Sequence, residues 1–299
     1  YSTGYFSKTA DFDPGEDSVI LSSVEYSDLF LCKFNPEGQF KWVKQFNGSH
    51  YNYFNYDKSS VDTDNSGNIY LTGSSTSLVK FDTISGTYDL FSRAKDFHTL
   101  IVKLDSMGNY VWIKQIVGFL SNPKSIKADA DKNVYLTGYF RDTLDFDPGP
   151  GTFFLNSTWS EQYDIFVLKL NRYGEFIWAK QFGSSLRKEG FSIGVDDQGN
   201  VYTTGYYRNR CDFDPGEKDS TLIATSETDI FVTKLDSNGQ FVWARNFGGA
   251  GNDFGTDIVT DKWGNVYFSG YYNGLADFDP DKKFHSCLSN GISDAFICK

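Results

Sequence analysis

Apolar and polar residues alternate over short runs, and the runs are separated by stretches bearing Asn, Asp and Gly. That is the pattern of strands half-buried on one face and joined by turns. The clearest stretch predicts strand A over 191–195, strand B over 201–207, strand C over 230–235 and strand D over 241–247. DDQGN lies between A and B and DSNGQ between C and D, each with a Gly near its end, where a short hairpin requires a left-handed residue. An antiparallel meander follows. Alternation within strand D puts Phe241, Trp243, Arg245 and Phe247 on one face, and Phe40, Trp42, Lys44, Phe46 and Phe176, Trp178, Lys180, Phe182 repeat that face elsewhere.

The same unit returns along the chain. Phrases of the type YSTG, NIYLTG, NVYLTG, NVYTTG and NVYFSG end at Gly4, Gly73, Gly138, Gly205 and Gly270, at intervals of 69, 65, 67 and 65. The strand-D marker returns at Trp42, Trp112, Trp178 and Trp243, at intervals of 70, 66 and 65. A four-stranded meander has two faces to bury and cannot bury both alone, so units stack face to face around an axis. The expectation is an all-β chain, a β-propeller of four-stranded antiparallel meander blades. Residues 1–299 form one propeller domain or a fragment of one, with five blades at least partly present. Eighteen strands are expected: B, C, D, then three complete A-to-D units, then A, B, C. The two ends do not complement each other as a shared closing blade would, which predicts an excerpt of a longer array. The Gly of strand B is expected where another backbone approaches closely or the strand bends.

Charge narrows the partners. With 39 acidic and 28 basic residues the formal charge is −11, so no phosphate-seeking basic surface and no nucleic-acid partner are expected. Aromatics make up 18% of the chain against a single Met, a bias toward pleated surfaces. No apolar stretch approaches the ~20 residues of a spanning helix, so no transmembrane segment is expected. The sequence opens at Tyr1 without an initiator Met or a signal-like run, so a targeting peptide is expected to be absent or already removed.

DFDPG at 11–15, 145–149 and 212–216 and DFDPD at 277–281 are followed by DLFLCK, DIFVLK, DIFVTK or DAFICK, then by the Trp strand and GNVYxTG. In combination these motifs resemble the bacterial seven-bladed β-propeller repeats called SBBP repeats, and the likeness runs over nearly the whole chain. The resemblance implies a propeller of secreted or cell-surface proteins. It brings no catalytic residues to transfer.

The Asp pairs Asp11 and Asp13, Asp145 and Asp147, Asp212 and Asp214, and Asp277 and Asp279 are the strongest chemical candidates. In an extended chain two such carboxylates stand roughly 7 Å apart, and their repulsion is only about 0.6 kcal/mol in water. They read either as Asp-capped turns before Pro-Gly or as hard oxygen ligands for calcium. In the second repeat Lys80, Phe81 and Asp82 take the place of Asp, Phe, Asp, so no calcium is expected there. Beyond calcium no cofactor is expected. Asp64, Asp129, Asp196 and Asp261 end strand A and read as turn caps, because Gly73 stands where a calcium loop starting at Asp62 needs an acid.

Lys33, Lys103, Lys169, Lys234 and Lys299 alternate with apolar residues on strand C and read as ion pairs or snorkelling stems at a blade rim. His50, His98 and His285 have no repeat counterparts, so no zinc site is expected. Cys32, Cys211, Cys287 and Cys298 fill repeat positions held elsewhere by Val, Leu, Ala or Thr, which predicts free thiols that pack as small hydrophobes.

The B-to-C and D-to-A connections of a meander emerge at one end and are the longer ones, so binding residues are expected there. Tyr51, Tyr53, Phe54 and Tyr56 in the loop of residues 47–60, with Trp159 in another, are the candidate ligand-binding residues. Every acidic motif is repeated, whereas catalysis needs one asymmetric constellation. The expected function is a non-catalytic extracellular binding or adhesion module that recognises a protein or glycan. The alternatives are a structural spacer of a large surface protein and, last, a channel-sited hydrolase or lyase.

Overall fold

The computed structural model describes residues 1–24, 27–46, 59–75, 79–83, 86–90, 98–159, 162–184, 186–281 and 285–299, with backbone alone at 75, 79–83 and 86–90. Among them every regular element is a β-strand, and no helix is long and apolar enough to cross a membrane. The chain divides into two compact units, Tyr1–Lys124 and Ser125–Lys299.

In the first unit, strands B, C and D of the first repeat are Ser2–Phe6, Asp28–Phe34 and Phe40–Phe46, hydrogen-bonded in that order. The second repeat is a complete A-B-C-D sheet of Ser60–Thr63, Ile69–Ser75, His98–Leu104 and Tyr110–Ile116. Leu29, Leu31 and Phe46 of one sheet and Ile69, Leu71, Leu100 and Val102 of the other form a single buried cluster. The apolar half of the alternation thus meets the apolar half of its neighbour.

The second unit continues the pattern. Leu120–Ala128, which straddles the division, precedes Val134–Arg141, Asp164–Leu170 and Phe176–Phe182. Next come Lys188–Val195, Val201–Tyr207, Asp229–Leu235 and Phe241–Gly249, then Phe254–Thr260, Val266–Tyr272 and Asp294–Cys298. Ile165, Val167, Trp178 and Phe182 of the third repeat share a core with Ile193, Val201 and Phe231 of the fourth. Tyr202, Ile230 and Phe247 of the fourth meet Ile258 and Phe268 of the fifth. The large ring expected on strand D is therefore part of the packing between consecutive sheets.

The B-to-C connections hold a feature that the alternation does not reveal. Each carries its own small hairpin: Thr9–Asp11 with Ile20–Ser22, Val79–Thr83 with Gly86–Leu90, Thr143–Asp145 with Phe154–Asn156, Arg210–Asp212 with Thr221–Ile223, and Leu275–Asp277 with Ser286–Leu288. Lys8, Asp142, Asn209 and Gly274 stand at φ of 59°, 67°, 59° and 73° just before four of these hairpins and swing the chain out of strand B. The Phe of each Asp-Phe-Asp phrase pins its hairpin to the sheet: Phe146 lies 5.1 Å from Phe140 and 5.2 Å from Phe166, and Phe213 lies 4.8 Å from Phe231.

Strand B carries its Gly for a steric reason. A Cβ on Gly205 or Gly270 would collide with the carbonyl of Glu189 or Phe254 on strand A, beside the register shifts at 190/192 and 255/257.

Candidate functional site

The repeated acidic positions first resolve as turn chemistry. Asp11 Oδ1 accepts the amides of Asp13 at 3.1 Å and Val19 at 2.9 Å, and Asp13 Oδ1 accepts that of Gly15 at 2.8 Å. Asp145 and Asp147 repeat this with Phe153 and Gly149, Asp212 and Asp214 with Ser220 and Gly216, and Asp277 and Asp279 with His285 and Asp281. The amides of Val19 and Asp13 hold the Asp11 carboxyl below the usual carboxylate range. Among the described residues no group of three or more His, Cys, Asp or Glu side chains is arranged to hold a metal.

Asp196 caps the A-to-B turn through the amides of Gln198 and Asn200 at 2.9 Å, the Asn200 side chain at 2.8 Å and the Tyr202 hydroxyl at 3.0 Å. Asp64, Asp129 and Asp261 make the corresponding bonds to Tyr70, Tyr135 and Tyr267. These tyrosines explain the lysine series. Lys103, Lys169, Lys234 and Lys299 each lie 4.9–5.2 Å over the ring of the strand-B Tyr of their own repeat, and Lys33 lies 5.3 Å over Tyr1, just before strand B of the first. The ammonium then reaches forward: Lys33 Nζ donates to the Ser106 carbonyl and Lys169 Nζ to that of Ser237, each at 3.0 Å, with Trp178 Nε1 on the same Ser237 oxygen at 3.2 Å. Both readings offered by the sequence, an ion pair and a stem with its head in water, give way for these two side chains to an ammonium held on a main-chain carbonyl, and Lys169 is itself buried.

The opposite end of the second unit is less regular and holds the asymmetric chemistry. Strand A of the fourth repeat begins at Lys188 and brings Arg187 and Glu189 to either side of it. Glu189 is buried, and its Oε1 accepts Arg187 Nε at 3.0 Å, Arg187 Nη2 at 2.7 Å and the Tyr206 hydroxyl at 3.0 Å. The Arg187 side chain is 52% exposed, and its guanidinium lies 6.0 Å over the ring of Tyr163. Burial opposes the Arg187 charge, but Tyr206 and Glu189 outweigh it and raise its pKa. Burial, with the Glu189 charge, raises that of Tyr206.

A run of rings extends from this pair. Tyr139 lies 4.9 Å from Tyr163, Tyr206 lies 4.8 Å edge-on from Phe254, and Phe254 stacks at 4.9 Å on Tyr271, which is 42% exposed. Beside it a shallow cavity of about 340 Å³ opens between the D-to-A and B-to-C loops, lined by Leu186, Arg208, Asn209, Ser226 and Glu227, with Arg208 and Glu227 paired at 2.8 Å.

Of the predicted ligand-binding residues, Trp159 stands on a B-to-C loop with 57% of its surface exposed. Tyr51, Tyr53, Phe54 and Tyr56 lie outside the described residues. Arg187 and Glu189 escape a repeat-based reading because Asn252 and Phe254 replace them one repeat later. The signal that was available is the Tyr directly after the strand-B Gly, present as Tyr5, Tyr139, Tyr206 and Tyr271.

Comparison with known proteins agrees with this architecture. Residues 177–206, from strand D of the third repeat through strand B of the fourth, match the family model of the SBBP β-propeller repeat. The matched stretch is one copy of the strand-D-to-strand-B segment that recurs along the chain. The chain is 25% identical over 317 aligned positions to an uncharacterized WD repeat-containing protein of Acanthamoeba polyphaga mimivirus, covering 87% of this chain and 22% of that protein. It is 24% identical over 192 positions to the regulatory protein FlaEY of Caulobacter vibrioides, covering 62% of this chain and 20% of that protein. The chain thus spans about a fifth of the length of each relative.

Proposed function

We propose that this chain is a non-catalytic binding module that presents the loop end of its second unit to a protein partner. Arg187 carries the reading. It is half-exposed, clamped by Glu189 and laid against Tyr163, so a cation with an aromatic rim is oriented before any partner arrives. Arg and Tyr are among the side chains that dominate protein–protein hot spots, and pre-orientation reduces the entropy lost on binding. The WD-repeat and regulatory names of the two relatives support binding rather than turnover. The SBBP resemblance supports a secreted or cell-surface setting, and the exposed Trp159 adds a ring face on which a glycan could stack.

The test compares the full chain with R187A and with a Y163A/Y271A double variant. Partners crosslinked to each are identified by mass spectrometry, and all three proteins are applied to a glycan array. A partner retained by the parent and reduced at least tenfold by R187A supports the reading. Identical capture by all three proteins, with no glycan retained, would instead support a structural spacer.

A further inference from the structure

Two strand positions acquire opposite chemistry in successive repeats. The first residue of strand C and the residue 24 positions later, in or just before strand A of the next repeat, are His98 and Asn122, then Asp164 and Lys188, then Asp229 and Asp253. In the middle case the charges cancel. Lys188 Nζ lies 2.8 Å from Asp164 Oδ1 and 3.0 Å from the carbonyls of Ser184 and Leu186, and neither charged side chain is exposed.

One repeat later Asp229 keeps the role of Asp164. Its Oδ2 accepts the Thr225 amide at 2.9 Å and the Asn246 side chain at 2.8 Å, just as Asp164 Oδ2 accepts the Thr158 amide and Gln181, both at 2.7 Å. The oxygen that would take the ammonium, Asp229 Oδ1, is buried and accepts no hydrogen bond. The residue that would supply the ammonium is Asp253, itself fully buried. Asp229 Oδ1 and Asp253 Oδ2 converge: they lie 2.9 and 2.7 Å from one point, the place where a Cβ of Gly248 would sit. Among the described residues no lysine or arginine forms a salt bridge with either carboxylate.

We propose that Asp229 and Asp253 bind a divalent cation, with calcium the closest chemical match, in the region that the Lys188 ammonium fills one repeat earlier. Two uncompensated carboxylates in the interior are costly, and one dication cancels both charges. A shared proton fits less well, because Asp253 accepts the Gly249 amide at 2.8 Å on Oδ2 and the Asn273 amide at 3.0 Å on Oδ1, bonds that favour the ionised form. Calcium accepts irregular sets of six to eight oxygens, whereas magnesium demands a near-ideal octahedron. The two carboxylates supply four oxygens at most. Backbone carbonyls and water would have to supply the rest; in sequence Gly249 and Gly251 take the places of Ser184 and Leu186, whose carbonyls hold the ammonium one repeat earlier. Burial raises the pKa of both carboxyls, and the Asp253 charge adds to the rise at Asp229, the strain that a bound cation would relieve.

The test uses the full chain freed of divalent ions by a chelator, titrated with calcium chloride by calorimetry while its melting temperature is followed. The expected result is a saturable site that raises the melting temperature, with affinity reduced at least tenfold in D229N and in D253N. D253K restores the ion pair of the preceding repeat; it should melt at least as high as the calcium-loaded parent and not respond to calcium. Two outcomes overturn the assignment. One is a parent indifferent to calcium that gains stability between pH 7 and pH 5, which marks a shared proton. The other is calcium binding that survives D253N and is lost in D212N, which moves the site to the Asp-Phe-Asp turns.

Discussion

Lys188 and Asp164 form an ion pair with 2.8 Å between Nζ and Oδ1 and no exposed side-chain surface on either partner. Removing one member of such a pair strands the other charge away from water. Lys188→Met should therefore cost about 3–5 kcal/mol in denaturant unfolding, and the double variant D164N/K188M should recover part of that loss. A double-mutant cycle giving no coupling would separate the two residues energetically.

Acid should loosen the A-to-B turns. Burial works against the Asp196 charge, but the hydrogen bonds from Asn200, Tyr202 and Gln198 outweigh it and leave its carboxyl below the ordinary value of 3.8. Asp64 and Asp261 shift the same way for the same reasons. A depressed native pKa contributes stability that is present above the unfolded value and lost as pH falls through the native one. Unfolding free energy should thus decline below about pH 4, and Asp196→Ala should lower it by about 1–2 kcal/mol at pH 7. The loss caused by that variant should shrink at pH 2, where the parent turn is also protonated.

Gly205→Ala should destabilise by about 1–3 kcal/mol, because its methyl group would be driven into the Glu189 carbonyl. Gly274→Ala is the contrast. Nothing lies within contact distance of its Cβ position, so the effect there comes from its left-handed φ of 73° and should be near 1 kcal/mol. Thermal melts of the two variants separate crowding from backbone strain.

Thiol reactivity should follow depth. Cys32 and Cys211 are buried, and burial pushes the Cys211 thiol up to about 12, whereas Cys287 is half-exposed; all four cysteines are free. A disulfide reagent should label Cys287 in the native protein, and Cys32 and Cys211 only after unfolding. Native labelling of Cys211 at the same rate would contradict its placement in the core.

The eighteen meander strands were legible because each is four to nine residues long and binds its neighbours through period-two alternation, with a large aromatic at a fixed depth. The five small hairpins were not. Their ladders run three to five residues, and Asp-Phe-Asp reads as a turn until Asp145 is seen opposite Phe154. The lysine and aspartate series were visible as repeats, yet their meaning required the Tyr between them, since Tyr135 both donates to Asp129 and lies beneath Lys169. Arg187, Glu189 and Asp253 hold the irregular chemistry because their counterparts differ.

The forward reach of Lys33 to the Ser106 carbonyl and of Lys169 to that of Ser237 ends on main-chain oxygen. Such a latch asks nothing of the neighbour's side chains. That fastening is therefore the same whatever side chains the next repeat carries there, so a gene that duplicates or deletes whole modules keeps it, while the apolar faces and the Asp164–Lys188 pair still have to match.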